Sequence, residues 1–244
     1  MKVTLISYTP DAAELLIFTK STRLNMSPSL LDEIKAWPHE KKMAELAYMV
    51  TSIASSWEMV DYVFMIEGVS RAYTHQQVRT RHGSYAQQSL RVVDASKLDF
   101  VMPERIGEHT KFVADPNRKA IEDVLFHIME EYRAMIARGV ATEDARSILP
   151  TNIATNIVAK FNLRTMSELA KSRTGGRTQS EYINVMNAMC DEVIKVHPWA
   201  EQFLFPQKRD LFNEIEEFAE RKFGGDLLAK GELLKIVDKL RKGE

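Results

Sequence analysis

The sequence from Asp61 to Glu67 reads DYVFMIE, a nearly continuous run of β-branched and aromatic residues. Such a run is typical of a buried strand, and Gly68 directly after it indicates a break. The N-terminal residues 2–7, KVTLIS, alternate between two faces and predict a short strand before a Thr-Pro-Asp turn. The first part of the chain therefore contributes strands to the fold.

Most of the remaining sequence has the periodicity of helices. Ser27-Pro28 has the form of an N-cap followed by proline, and Pro38 ends that helix. The clearest apolar stripe begins at Asp115-Pro116 and ends near Gly139, which stands where a C-cap is expected. Further helices are predicted at about residues 39–51, 142–149, 151–161, 165–172 and 178–195.

These patterns predict an α+β fold, with mixed helices packed on a central antiparallel sheet and a mostly helical second half. Residues 1–207 contain no internal repeat or low-complexity linker, which favours a single domain. The charges alternate from residue 208 to residue 244, with Gly224-Gly225 between two amphipathic pieces. This tail is predicted to be a charged C-terminal extension that forms a helical hairpin.

Composition disfavours several classes of protein. The chain has 244 residues, with 33 Lys+Arg against 34 Asp+Glu and a formal net charge of −1, which is unlike a nonspecific nucleic-acid binder. It has no apolar run of about 18 residues, and an acidic residue interrupts the N-terminal segment, so we predict a cytoplasmic protein without a membrane span. Cys190 is the single cysteine and lies in a helical apolar stripe. We expect a core thiol, with no disulfide and no metal site.

Positive charge is concentrated in two segments. Between Gly68 and Val93 there are four arginines and no acidic residue, and between Lys160 and Arg177 five basic residues face only Glu168. Clustered arginines suit phosphate or carboxylate recognition, although acids elsewhere in the fold could equally pair with them. The first segment combines Arg71, Arg79, Arg81 and Arg91 with the uncharged hydrogen-bonding residues Gln76, Ser84, Gln87, Gln88 and Ser89.

The first basic segment carries a recognisable pattern, although both the P-loop and the G-x-G-x-x-G motifs are absent from the sequence. Arg79-Thr80-Arg81, seven residues and then Ser89 resemble R-H-R-x7-S, the signature of the flavin-dependent thymidylate synthases. Other segments follow that family's order at close to its spacing: Ser55–Glu58, Ile66–Gln76, Ala145–Pro150, Asn162–Met166, Arg173 and Gln179–Glu181. The resemblance covers about residues 50–200, and several motifs in register are more specific than one short pattern.

The chain also departs from the family pattern. Thr80 stands where the signature has histidine, and Glu168 stands where an amide or histidine is more usual. The remaining departures are Ala86, Gln87, Leu90 and Val92. The arginines that would hold a nucleotide are all present, so the resemblance implies a divergent but active enzyme.

The family methylates dUMP to dTMP, with methylenetetrahydrofolate as carbon donor and FAD, reduced by NADPH, as hydride source. By position, the resemblance implies dUMP binding by Gln76, Arg79, Gln87, Ser89, Leu90, Arg91, Arg146 and Arg173. It implies FAD binding by Ser55, Glu58, Arg79, Thr80, Arg81, Gln87, Asn162, Arg164 and Glu168, with Thr22 as an additional contact. Arg173 would be the catalytic residue, because its permanent cation can stabilise negative charge developing on the uracil oxygens.

The resemblance also implies a homotetramer in which several subunits share each active site. The partners would then be the small molecules dUMP, folate and NADPH, with neither nucleic acid nor membrane. In such an assembly the two basic segments need not meet within one chain.

Three alternatives stay open. The departures motivate an enzyme of the same fold that acts on a modified pyrimidine monophosphate or transfers a different one-carbon unit. A homologue that binds the nucleotide without turnover is the second, and a nucleic-acid binder is the third. Within the family reading, Ser89 is favoured as a phosphate ligand over a covalent nucleophile, because no histidine is placed by sequence to activate it.

Overall fold

The computed structural model describes residues 1–21, 26–104, 106, 116–174, 178–205, 215, 219, 222, 223 and 227–242. Contacts between residues divide the chain into two units, Met1–Phe205 and Pro206–Glu244. The first unit holds the sheet and every residue predicted for the site. In the described part of the second unit, the long element is a helix at Leu227–Lys242.

Among the described residues, four strands form one antiparallel sheet in the order β1-β2-β4-β3. The strands are β1 (Lys2–Tyr8), β2 (Asp61–Ser70), β3 (Ser84–Gln87) and β4 (Ala154–Asn162). The central pair is β2 and β4, in which Tyr62 lies opposite Phe161. The strands predicted at residues 2–7 and 61–67 are confirmed, as β1 and the first part of β2.

The helix predicted at residues 151–161 is wrong, because this segment forms β4. Buried and half-buried residues alternate strictly along the strand, with Thr155, Ile157, Ala159 and Phe161 on the buried side. This period of two is the pattern of a strand. The pairing that fixes it comes from β2, almost a hundred residues earlier in the chain.

The break predicted at Gly68 is also wrong, since β2 continues to Ser70. Gly68 has a φ of +65°, a conformation that glycine adopts without the steric cost of a side chain. The pairing with β4 shifts between Ile66 and Val69. Gly68 therefore lies in a bulge within the strand. The strand then continues to Ser70, and the helix Arg71–Gln77 begins at the next residue.

The α-helices of the described residues are α1 (Ala12–Lys20), α2 (Pro28–Lys35), α3 (His39–Val50), α4 (Arg71–Gln77), α5 (Pro116–Ala137), α6 (Thr142–Ala145), α7 (Leu163–Arg173), α8 (Ser180–Val196) and α9 (Glu201–Leu204) in the first unit, and α10 (Leu227–Lys242) in the second. Ser27 caps α2 through its side chain, as predicted. Gly139 has a φ of +83° just after α5, which agrees with its predicted place at the end of that helix. The α+β class is confirmed.

The main hydrophobic core joins the central strands to α8. Tyr62, Phe64 and Phe161 of the sheet are fully buried in the same cluster as Tyr182 of α8. Cys190, also in this cluster, is the core thiol that was predicted, and burial raises its pKa to about 12. A second cluster contains Leu90, Ala95, Met129, Tyr132, Ala145 and Ile153.

The tail prediction is tested only in part. Helix α10 lies within the predicted extension, whereas the proposed turn at Gly224-Gly225 lies outside the described residues. No helix in the described ranges is long and apolar enough to cross a membrane.

His197 gives the fold a predictable dependence on pH. Its Nδ1 lies 3.1 Å from the Tyr62 hydroxyl, and its ring stacks on Trp199. Burial lowers the pKa of His197, and the charge of Glu14 partly opposes this shift. The folded-state pKa therefore lies below the unfolded value of about 6.5. We expect the free energy of unfolding to decrease as the pH falls below about 6.5, because the unfolded chain binds the proton first.

Urea denaturation at pH 7.5 and pH 5.5 checks this expectation. The variant His197→Phe keeps an aromatic ring at the position and should show a smaller loss of stability between the two pH values than the wild type. The control His127→Phe removes an exposed histidine of α5 and should retain the wild-type loss. An equal pH dependence in wild type and His197→Phe would contradict the prediction.

Candidate functional site

Strand β2 leads directly into α4, the helix of the first basic segment. The Ser70 hydroxyl caps α4 by accepting from the backbone N–H of Tyr73 at 3.0 Å. At the start of α8, the Glu181 carboxylate accepts from the N–H of Ser70 at 2.7 Å and from its hydroxyl at 2.6 Å. Near the other end of α4, Gln76 Nε2 donates to Gln179 Oε1 at 2.5 Å. The start of α8 thus contacts both ends of α4.

Tyr85 of β3 hydrogen-bonds the backbone where α4 ends and the next loop begins. The Tyr85 hydroxyl lies 2.9 Å from the carbonyl oxygen of Gln77 and 2.8 Å from that of Thr80. Its ring packs edge-on against Phe161, with centroids 5.7 Å apart. The backbone of residues 78–83, called the signature loop below, is therefore fixed on the sheet.

Gly83 allows this close packing. A Cβ atom at position 83 would lie 2.3 Å from the Tyr85 hydroxyl oxygen and 2.5 Å from Phe161 Cε1. Tyr85 cannot yield cheaply because its hydroxyl and ring are both engaged. We expect Gly83→Ala to lower the free energy of unfolding by about 1–3 kcal/mol, the usual cost of overpacking. Urea denaturation measures this, and Gly231→Ala is the control because its added Cβ has no atom within 4 Å. An unchanged stability of Gly83→Ala would contradict the packing described.

The signature arginines project from this fixed loop. Arg79 and Arg81 are exposed, and within the described part of the chain neither forms an ion pair. No carboxylate among the described residues therefore neutralises their charges. This is the arrangement expected where an anionic ligand supplies the counter-charge.

Three more arginines meet where β3 ends. Arg91 binds the Glu143 carboxylate through Nε at 3.1 Å and Nη2 at 2.9 Å. Arg146 Nε donates to the backbone carbonyl of the same glutamate at 3.1 Å. Burial and the nearby Arg146 guanidinium lower the pKa of Arg71, whose Nη1 lies 3.4 Å from the Gln88 carbonyl oxygen. The Glu143 carboxylate therefore pairs with Arg91 alone among these three arginines, whereas Arg146 and Arg71 bond only backbone carbonyls in the described structure.

Three further residues predicted for dUMP lie beside this arginine group. Gln87 donates to the Thr74 hydroxyl at 2.8 Å. The Ser89 hydroxyl is exposed and accepts from the backbone N–H of Arg91 at 3.3 Å, and no histidine of the described chain hydrogen-bonds it. Leu90 is 5% exposed in the second hydrophobic cluster, so only its backbone is available to a ligand.

Arg173, the last residue of α7, lies over an aromatic ring. Its Cζ is 5.1 Å from the centroid of Tyr182. Its Nε is buried and has no hydrogen-bond partner among the described atoms. Burial raises the pKa of the Tyr182 phenol, and the neighbouring Arg173 and Thr80 oppose this shift. The ring of Tyr182 therefore brings Arg173 close to the signature position Thr80.

A second group surrounds Arg164. Its Nη1 donates to Glu58 at 2.7 Å and its Nε to Glu168 at 3.1 Å. Asn162 caps α7 by accepting from the Thr165 N–H at 2.8 Å. In this part of the second basic segment, acids do pair with the cations. Lys160 behaves in the same way, with its Nζ 2.8 Å from Asp61.

Ser55 lines a cleft of about 830 Å³ between α1, α3 and the turn at residues 54–59. Lys20, Ser21 and Ser56 line the same cleft. The Ser56 hydroxyl is buried and has no hydrogen-bond partner in the described structure. Thr22 lies outside the described residues. The cleft has the size of a small-molecule site.

By predicted ligand, these residues fall into two groups, one for dUMP that includes Arg146 and Arg173 and one for FAD that includes Arg164 and, in the cleft, Ser55. No hydrogen bond or ion pair between described side chains joins the two groups.

The sequence is similar to known proteins over most of its length. A family model described as "Thymidylate synthase complementing protein" matches residues 4–199. The chain belongs to the family of flavin-dependent thymidylate synthases. Curated relatives with that name include one from Clostridium tetani, 31% identical over 211 residues, which cover 81% of this chain and 84% of the relative. Another, from Nitratidesulfovibrio vulgaris, is 35% identical over 211 residues, with 79% and 83% covered. The one from Pyrococcus furiosus is 32% identical over 230 residues, with 86% and 91% covered.

Three residues beside the candidate arginines, Tyr182, Glu143 and Arg71, are not among the residues predicted for the site from the sequence. Tyr182 and Glu143 carry no local motif, and their contacts with arginines depend on the tertiary fold. Arg71 lies in the first basic segment, which contains no acidic residue, but the family pattern does not include it in the predicted site. Its position beside Arg146 shows that the charge pattern was the useful signal.

Proposed function

We propose that this chain is a flavin-dependent thymidylate synthase that converts dUMP to dTMP. Methylenetetrahydrofolate donates the carbon, and FAD reduced by NADPH provides the hydride. The observation that carries the proposal is the family match over residues 4–199, which includes both groups of candidate site residues. Relatives that bear this name are aligned over about four fifths of the chain.

The arginine group is suited to hold the phosphate of dUMP. A buried phosphate dianion needs charge-assisted donors from several directions. Arg91 and Arg146 converge on Glu143, and Arg79 has no acidic partner among the described residues. In this proposal Gln76, Gln87 and Ser89 add neutral hydrogen bonds, and Leu90 contributes its backbone.

Arg173 is proposed to contact the uracil ring. Its guanidinium keeps an unpaired buried Nε, and the described chain places no carboxylate against it. A guanidinium without a described carboxylate partner keeps its positive charge for an interaction with the substrate. Because the guanidinium never loses its proton, it can stabilise negative charge on the uracil oxygens throughout the reaction.

The second group supports flavin binding. The cleft beside Ser55 offers a buried hydroxyl without a partner, and Arg79 and Arg81 offer cations for a diphosphate. This donor set fits FAD, which supplies redox chemistry when bound. In this proposal Thr80, Gln87, Asn162 and Arg164 complete the contacts, with Glu58 and Glu168 orienting Arg164.

We further propose a homotetramer that acts in the cytoplasm, with active sites shared between subunits. No described hydrogen bond or ion pair joins the two groups within one chain, which is compatible with sharing, because a neighbouring subunit can bring a flavin group to a dUMP group. Sedimentation-equilibrium analysis tests the assembly. A monomeric protein with full activity would contradict shared active sites.

Mass spectrometry of the products tests the reaction itself. The purified protein, supplied with dUMP, FAD, NADPH and methylenetetrahydrofolate, should form dTMP, and omission of any component should prevent this. A methylated product only from a modified pyrimidine monophosphate would favour the alternative substrate. Binding of dUMP without any product or NADPH oxidation would indicate a homologue that retains the nucleotide site alone.

A further inference from the structure

We propose that Tyr182 is a positioning residue, whose aromatic ring holds the Arg173 guanidinium in place for the uracil ring. The inference rests on the proposed function, since it assigns a support to the residue proposed to act on dUMP. Tyr182 itself is 1% exposed. It acts through Arg173 and is not offered as a catalytic residue.

The contact between the two side chains is a cation–π interaction. The Arg173 Cζ atom lies 5.1 Å from the centre of the Tyr182 ring, within the distance of about 6 Å at which the ring face attracts a cation. Arg173 is the last residue of α7, and Thr174 is the C-cap that follows it. An arginine side chain has several rotatable bonds and therefore many conformations. Contact with a fixed ring face restricts where the guanidinium can lie.

An aromatic ring suits this task better than a carboxylate. A carboxylate would accept the guanidinium N–H groups and cancel the positive charge, as Glu58 and Glu168 do for Arg164. The face of a tyrosine ring attracts the cation without accepting its in-plane donors. Arg173 therefore stays oriented over the ring, with a positive charge that no described carboxylate cancels.

The ring also couples Arg173 to the signature loop. Tyr182 packs edge-on against Tyr73, with centroids 5.1 Å apart, and the Tyr73 hydroxyl donates to Gln77 Oε1 at 3.1 Å. Glu181, the preceding residue of α8, holds the start of α4 through Ser70. Tyr182 thus ties the end of α7 to the helix that precedes Arg79.

The test changes the electrostatics of the ring with little change in its shape. We compare Tyr182→Phe with pentafluorophenylalanine incorporated at position 182, because fluorination reverses the charge distribution of the ring face. Calorimetry measures the dissociation constant for dUMP on the FAD-loaded protein. We expect Tyr182→Phe to bind dUMP within about threefold of wild type and the pentafluoro variant to bind about tenfold more weakly. Tyr182→Leu, if it folds, should resemble the pentafluoro variant.

A double-mutant cycle separates positioning from a general structural effect. In an Arg173→Ala background, exchanging phenylalanine for pentafluorophenylalanine at position 182 should no longer change dUMP affinity. The same exchange at Tyr62, a buried tyrosine of β2, is the matched control and should leave dUMP affinity unchanged.

The outcomes distinguish this inference from the function on which it rests. Equal dUMP affinity of the phenylalanine and pentafluoro variants, with wild-type binding intact, would overturn the role of Tyr182 and leave the proposed function standing. A loss that persists in the Arg173→Ala background would also overturn it. Failure of the wild type to bind dUMP would overturn the proposed function and the inference together.

Discussion

The variant Arg173→Ala is expected to form dTMP at least a hundredfold more slowly than wild type, with little change in stability. Arg173 lies at the end of α7, and its guanidinium contacts the face of Tyr182 without any carboxylate partner in the described chain. Removing one preorganised donor to developing negative charge commonly costs about 10²–10³ in rate. Single-turnover formation of dTMP, together with a thermal unfolding midpoint, measures both parts of this prediction.

Two further variants sharpen the result. Arg173→Lys keeps the charge but loses the planar fork and should recover only part of the rate. Arg138→Ala is the matched control, because Arg138 lies directly after α5, is exposed and pairs with Glu131 of that helix. It should turn over dUMP like the wild type. Wild-type turnover by a folded Arg173→Ala protein would remove Arg173 from its proposed role.

The variant Arg146→Ala is expected to bind dUMP about 30-fold more weakly. Arg146 lies beside Arg71 and donates to the backbone of Glu143, the residue that also holds Arg91. A hydrogen bond to a charged group contributes about 1.5–3 kcal/mol, which corresponds to roughly one to two orders of magnitude in affinity. Calorimetric titration with dUMP measures the loss.

The same titration with deoxyuridine, which lacks the phosphate, shows whether the loss belongs to the phosphate. Wild type and Arg146→Ala should bind deoxyuridine equally. Arg118→Ala, at an exposed pair with Glu122 on α5, should bind dUMP like the wild type. If Arg146→Ala weakened dUMP and deoxyuridine to the same extent, Arg146 would not be a phosphate ligand.

Local sequence signals were sufficient for much of the fold. The apolar run that begins at Asp61 predicted β2 because β-branched and aromatic residues are enriched in strands. Ser27-Pro28 and Gly139 marked helix ends, because capping depends on the residue at the helix terminus. The α+β class followed from these elements.

Elements that depend on distant partners were predicted less well. In β4, Asn156 and Lys160 interrupt the apolar residues, and the segment was mistaken for a helix. Pairing with β2 on one side and β3 on the other overrides that local impression. The bulge at Gly68 likewise depends on the register with β4.

The charge pattern gave a divided result at the candidate site. Acids from elsewhere in the fold pair with Lys160 and Arg164, which is the structural explanation of a basic segment. Arg79, Arg81 and Arg173 have no such partners among the described residues. Sequence alone could not separate these cases, because each acid that pairs lies many residues away or depends on the helix geometry.

Release of tritium from dUMP labelled at carbon 5 tests the central claim most directly. Methylation replaces the hydrogen at carbon 5, so the protein should release tritium to water in the presence of FAD, NADPH and methylenetetrahydrofolate, and stop when any of them is omitted. The account predicts that release accompanies dTMP formation and is lost in Arg173→Ala. Absence of release from wild-type protein that binds both dUMP and FAD would contradict the assignment as a thymidylate synthase.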